Sequence, residues 1–99
     1  MIHASNEKIR SQFRVIYDGD SFIDGVYCDE FDEAQFIAMS ILESWVESSV
    51  YMSDEEWNYF VYNASVWVEQ WCEDAGEYIE CWSPADEVLE NIGFIERGE

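Results

Sequence analysis

Positive charge is almost missing from this chain: its 99 residues hold 4 Lys plus Arg against 23 Asp plus Glu, for a formal net charge of -19. The charged fraction, 27%, is close to the roughly 25% of ordinary soluble domains, so the sign of the charge is abnormal and its amount is not. Lys8, Arg10 and Arg14 lie near the start and Arg97 near the end, leaving residues 15 to 96 without a cation. Every acid except Glu7 and Glu99 falls inside that stretch. A surface of this kind excludes direct binding of nucleic acid, which needs Lys and Arg to displace counterions from phosphates. Attachment to an anionic membrane surface is excluded for the same reason.

Other scarcities narrow the reading further. No apolar run approaches the 18 residues that span a bilayer, and the first residues lack the apolar segment of a signal peptide, so an intracellular protein is expected. Three cysteines, Cys28, Cys72 and Cys81, are an odd number without a CxxC pair, which argues against a disulfide framework and for reduced, buried thiols. The single histidine, His3, sits in a terminal segment, so the body has no Ser-His or Cys-His nucleophile pair. Phosphate loops and metal signatures are also lacking, and the chain is not expected to be an enzyme or to carry a cofactor. Asp18, Asp20 and Asp24 resemble three ligand positions of a calcium loop, but Ile23 stands where that loop needs glycine. A hairpin turn explains them better, and no metal site is expected.

What the chain has in abundance is apolar and aromatic material. It is 48% hydrophobic, with 5 Trp, 6 Tyr and 6 Phe. Highly charged disordered chains lack such residues, so a folded domain is expected, one domain at this length, with residues 1–11 and 96–99 as frayed tails.

Periodicity gives an α+β reading. Phe13, Val15 and Tyr17 alternate, Asp18 to Ser21 supplies turn chemistry, and residues 22–28 alternate again, which predicts a β-hairpin. Its register is open, with Tyr17 opposite either Asp20 or Phe22. From Ala34 to Trp45 the period is helical, predicting a helix over 33–47 with Asp32 as its N-cap. Ser53 and Glu56 form a capping box, flanked by Met52 and Trp57 as a hydrophobic staple. A second helix is read from there through Ala75, with a stripe of Trp57, Phe60, Val61, Ala64, Val68, Trp71, Cys72 and Ala75, and with Gly76 as its stop. The short link between the two helices predicts an antiparallel pair packed on the hairpin. Tyr78 to Trp82 is read as a weakly marked third strand. Ser83 and Pro84, as N-cap and first helical residue, open a short C-terminal helix that ends at Gly93.

On this reading Tyr59, Tyr62 and Val66 fall outside the core stripe of the second helix, and Phe36 lies near Glu43 and Glu47 on the first. Aromatics among acids either bury under another part of the chain or in a dimer, or mark the apolar centre of a polar contact patch. Glu43 with Glu47, Glu69 with Glu73, and Glu73 with Glu77 are like-charge i, i+4 pairs, while Glu73 and Asp74 fall where a helix end disfavours anions. Local rules broken without gain in stability point to function. The candidate partner-binding residues are therefore Glu43, Glu47, Glu55, Tyr59, Tyr62, Glu69, Glu73 and Asp74.

In its size, its cation-free body from Val15 to Glu96 and its mixture of aromatics with acids, the chain resembles the small acidic DNA-mimic inhibitors of phages and mobile elements, of the antirestriction and anti-CRISPR kind. The resemblance implies a non-enzymatic protein in the cytoplasm of a host cell. Its partner would be a basic nucleic-acid-binding protein such as a nuclease, restriction enzyme or CRISPR complex, held through the partner's own binding site. Two rival readings fit the same composition: an immunity-type or regulatory partner of one basic protein, and an acidic domain adapted to high salt.

Overall fold

A computed structural model describes residues 11–19 and 23–98. The fold is α+β, and the described residues form four strands, β1 (Phe13–Asp18), β2 (Ile23–Cys28), β3 (Ser65–Cys72) and β4 (Glu77–Trp82). Among the described residues three α-helices accompany them: α1 (Phe31–Ser48), α2 (Asp54–Asn63) and α3 (Asp86–Ile92). One turn of 3-10 helix, Ser49–Tyr51, extends α1. The strands form a single antiparallel sheet in the order β2-β1-β3-β4, more sheet than the sequence suggests.

The expected hairpin is present in a third register. Tyr17 pairs with Asp24 and Asp18 with Ile23. This shift from the expected partners is an even number of residues, so each side chain keeps its face. It also sets Val15 between Val26 on one neighbour and Val68 on the other, which buries Val15 completely.

The larger correction concerns the second helix. It ends at Asn63, whose side-chain amide donates to the Tyr59 carbonyl, and Ala64 is already extended at φ -97 and ψ 151. Residues 65–72 are then a strand. Positions 64, 68 and 72 are four apart, so they satisfy a helical and an alternating pattern alike. Val66 separates the two: a helix turns it away from the core stripe, whereas the strand leaves it only 4% exposed. Gly76 still takes the left-handed backbone expected of it, at φ 69, but in the tight turn between β3 and β4.

The core lies between one face of the sheet and the helices. Val15, Cys28, Val66 and Val68 supply the sheet side, and Ala34, Ala38 and Leu42 supply α1. Among the described helices α1 makes the extended contact with the sheet; α2 meets α1 through the rings of Trp45 and Phe60, 5.0 Å apart and edge to face. Trp57, almost fully buried, and Phe94 complete this aromatic cluster at 5.5 Å. Cys28 is buried as expected; Cys72 is half-buried and Cys81 exposed, the latter on a β-bulge between the Val68–Trp82 and Glu69–Glu80 pairs.

Helix boundaries follow the chemistry unevenly. The capping box of α2 is present: the Glu56 amide donates to the Ser53 hydroxyl at 3.1 Å and the Ser53 amide to the Glu56 carboxylate at 2.9 Å. Asp32 does not cap α1, which begins at Phe31, whose ring packs on Phe13 at 5.6 Å. Ser83 and Pro84 do not start the helix: α3 opens at Asp86, with the extended Ala85 as its N-cap. Gly93 stops α3 at φ 91, and the Phe94 amide bonds the Leu89 carbonyl at 2.9 Å, drawing Phe94 into the core.

Candidate functional site

The candidate contact residues, Glu69 apart, fall in three places. Along the outer side of α1, Asp32, Glu33, Phe36, Ser40, Glu43 and Glu47 are all exposed. From Asp32 to Glu47 that row is about 22 Å long at 1.5 Å per residue. On α2, Glu55, Tyr59 and Tyr62 recur at intervals of four and three, one stripe of the helix, with Tyr59 63% and Tyr62 80% exposed. The third place is the β3–β4 turn, where Glu73 and Asp74 are exposed. With no helix there, the helix-end argument for Glu73 and Asp74 falls, and so does the i, i+4 argument for Glu69 with Glu73 and for Glu73 with Glu77. Glu43 with Glu47 is the pair that keeps its helical spacing, and Glu47 does lie in the last turn of α1, where no basic residue accompanies it.

Glu69 is set apart from the other candidates. It lies on β3 with its side chain only 15% exposed. One carboxylate oxygen accepts from Arg14 Nε at 2.6 Å and the other from Trp67 Nε1 at 2.8 Å. Arg14 also donates to the Tyr27 hydroxyl at 3.4 Å and places its guanidinium carbon 4.3 Å from the centre of the Tyr78 ring. Burial alone lowers the Arg14 pKa, but the hydrogen bonds to Tyr27 and Glu69, with the Glu69 charge, outweigh it and hold it above its ordinary value. Trp71, read from sequence as core, is on this same sheet face, edge to face with Tyr78 at 5.2 Å.

The second described arginine is engaged as fully. Arg97 Nη1 donates to Asp54 at 2.8 Å and Nη2 to the Ser49 carbonyl at 2.9 Å. Its backbone amide donates to Asn58 Oδ1 at 2.7 Å, Asn58 Nδ2 donates back to the Arg97 carbonyl at 3.0 Å, and the guanidinium lies 5.6 Å from the Trp57 ring centre. Both described cations are thus consumed in ion pairs. Apart from Asp18 and Glu69, every acid among the described residues is exposed.

Among the described residues no group of three His, Cys, Asp or Glu is placed to hold a metal ion, and the Asp24 carboxylate accepts from the Gly25 amide at 2.7 Å. An apolar cavity of about 210 Å³ between α1, β3 and α3 is lined by Leu42, Val66, Pro84, Leu89 and Phe94, with no titratable side chain. No described helix is long and apolar enough to cross a membrane. His3, Lys8, Arg10 and Asp20 lie outside the described residues.

Val50 and Tyr51 add to the exposed apolar surface where α1 runs into its 3-10 turn. Sequence offers no sign of this beyond their position between two helices. The chain matches no protein-family model, no curated protein and no solved structure.

Proposed function

We propose that this protein is a non-enzymatic inhibitor that presents nucleic-acid-like negative charge to the basic binding site of a nucleic-acid-handling protein, in the manner of an anti-CRISPR or antirestriction protein. One observation carries the reading: the described surface exposes acids on every helix, while both described cations are neutralised by Glu69 and Asp54. A long-range field of one sign steers a basic partner and speeds association. Carboxylates one helical turn apart rise by about 6 Å along α1, against roughly 3.4 Å between successive phosphates on a DNA strand, so α1 carries charge more sparsely than a strand and the likeness is one of sign and field without one-to-one correspondence.

The contact residues in this reading are Glu43 and Glu47 on α1, Glu55, Tyr59 and Tyr62 on α2, and Glu73 and Asp74 at the β3–β4 turn. Glu69 is left to the fold. The test is capture of a partner from host lysate on the immobilised protein, followed by addition of duplex DNA at constant ionic strength. Release by DNA supports a mimic that occupies a nucleic-acid site. Retention in excess DNA overturns it and favours an immunity-type partner bound elsewhere on its target.

A further inference from the structure

We infer that the partner is gripped through arginine more than lysine, at exposed carboxylate–aromatic pairs on α1 and α2. This rests on the proposed basic partner and adds the chemistry that recognises it. The pattern comes from the protein's own arginines. Arg14 is held by the Glu69 carboxylate with the Tyr78 ring 4.3 Å from its guanidinium carbon. Arg97 is held by Asp54 with the Trp57 ring at 5.6 Å. At two separate places the fold therefore answers a guanidinium with the same two parts, an anion for its charge and a ring for its flat face.

Those two parts recur on the outer helix faces. Asp32 and Phe36 are four apart on α1, and Glu55 and Tyr59 are four apart on α2. That spacing sets side chains next to each other on a helix. All four are exposed, Phe36 at 71% and Tyr59 at 63%, and neither Arg14 nor Arg97 is bonded to them. A ring this open to water beside an anion favours a planar, weakly hydrated cation. The lysine ammonium is compact and strongly hydrated, so it gains less from the ring. A second copy of the chain is a poor occupant, because two bodies of net charge -19 repel.

The experiment titrates the full chain with nona-arginine and nona-lysine peptides by calorimetry in 0.15 M and 0.3 M NaCl. We expect the arginine peptide to bind about five- to tenfold more tightly, the scale of two exposed cation–π contacts. Phe36→Leu with Tyr59→Leu should erase that preference while keeping the affinity for the lysine peptide. Asp32→Asn with Glu55→Gln should weaken both peptides. Equal affinities in the parent protein, or a preference that survives loss of both rings, overturns the inference. Its failure is separable from that of the mimic reading: release of the captured partner by DNA alongside equal peptide affinities sinks this inference alone. An arginine preference with a partner that DNA does not release sinks the other.

Discussion

Arg14 and Glu69 face each other directly across β1 and β3, joined at 2.6 Å, and the same row continues to Tyr27 on β2 and Glu80 on β4. Glu69 and Glu80 are opposed like charges, an arrangement that destabilises a sheet. Arg14 offsets it by drawing one of the two into an ion pair on the face away from the helices. This is why Glu69, alone among the candidate acids, belongs to the architecture.

Removing one member of that pair should therefore cost stability. Arg14→Met leaves a carboxylate at 15% exposure opposite Glu80 without its cation, and about 1–3 kcal/mol should be lost. Glu69→Gln should cost less, because an amide oxygen still accepts from Trp67. Thermal unfolding of both variants and the double variant measures this. A double variant whose loss equals the sum of the single losses would show that the two residues do not act as a pair.

Two serines that look alike in sequence should behave differently. Ser53 accepts from the Glu56 amide in a complete capping box, so Ser53→Ala should cost about 0.5–2 kcal/mol. Ser83 makes no cap, and Ser83→Ala should stay within about 0.5 kcal/mol of the parent. Urea unfolding midpoints decide the matter; equal losses would contradict the assigned start of α3.

Glu47 offers a test of whether stability has been given up for binding. It lies one turn after Glu43 and in the last turn of α1, both unfavourable for an anion. Glu47→Lys should raise stability by about 0.5–1 kcal/mol. It should also weaken capture of the partner. A variant that binds as well as the parent would remove Glu47 from the contact surface.

Cys28 supplies a pH dependence. Burial, reinforced by the Glu33 charge, pushes its thiol above the ordinary value of 9.0. A raised folded pKa means that the folded state holds the proton more tightly. The contribution is complete below the unfolded value and is lost as pH rises through the folded one. Stability should thus fall as pH rises through and beyond about 9. Cys28→Ala should show a shallower fall when unfolding is followed between pH 8 and pH 10.5, and an unchanged slope would count against this origin.

Much of the fold can be read directly from the residues where a single local signal operates. Ser53 with Glu56 marks the start of α2, Gly93 with Phe94 the end of α3, and the alternation of Phe13, Val15 and Tyr17 marks β1. Reading fails where two periods coincide. Ala64, Val68 and Cys72 suit a helix as well as a strand, and the choice is made by partners distant in sequence: Val15 beside Val68 and Tyr17 beside Val66. The candidate surface inherits that ambiguity. Glu43, Glu47, Glu55, Tyr59 and Tyr62 lie on helices as expected. Glu69, Glu73 and Asp74 lie beyond Asn63, where the expected helix has become strand and turn.

The order of strands in the sheet also bears on how the chain finds its fold. The β1–β2 and β3–β4 hairpins each close over a few residues, whereas the central β1–β3 ladder joins Phe13 to Gln70 and Asp18 to Ser65. Closing that long loop loses chain entropy before any of its contacts form. Two hairpins that form early, then dock along their inner strands around α1, are the expected route. Refolding should consequently be slowed far more by Val15→Ala or Val68→Ala, at the junction, than by Ile79→Ala on the outer strand. On that route the seam between the hairpins sets the tempo of folding.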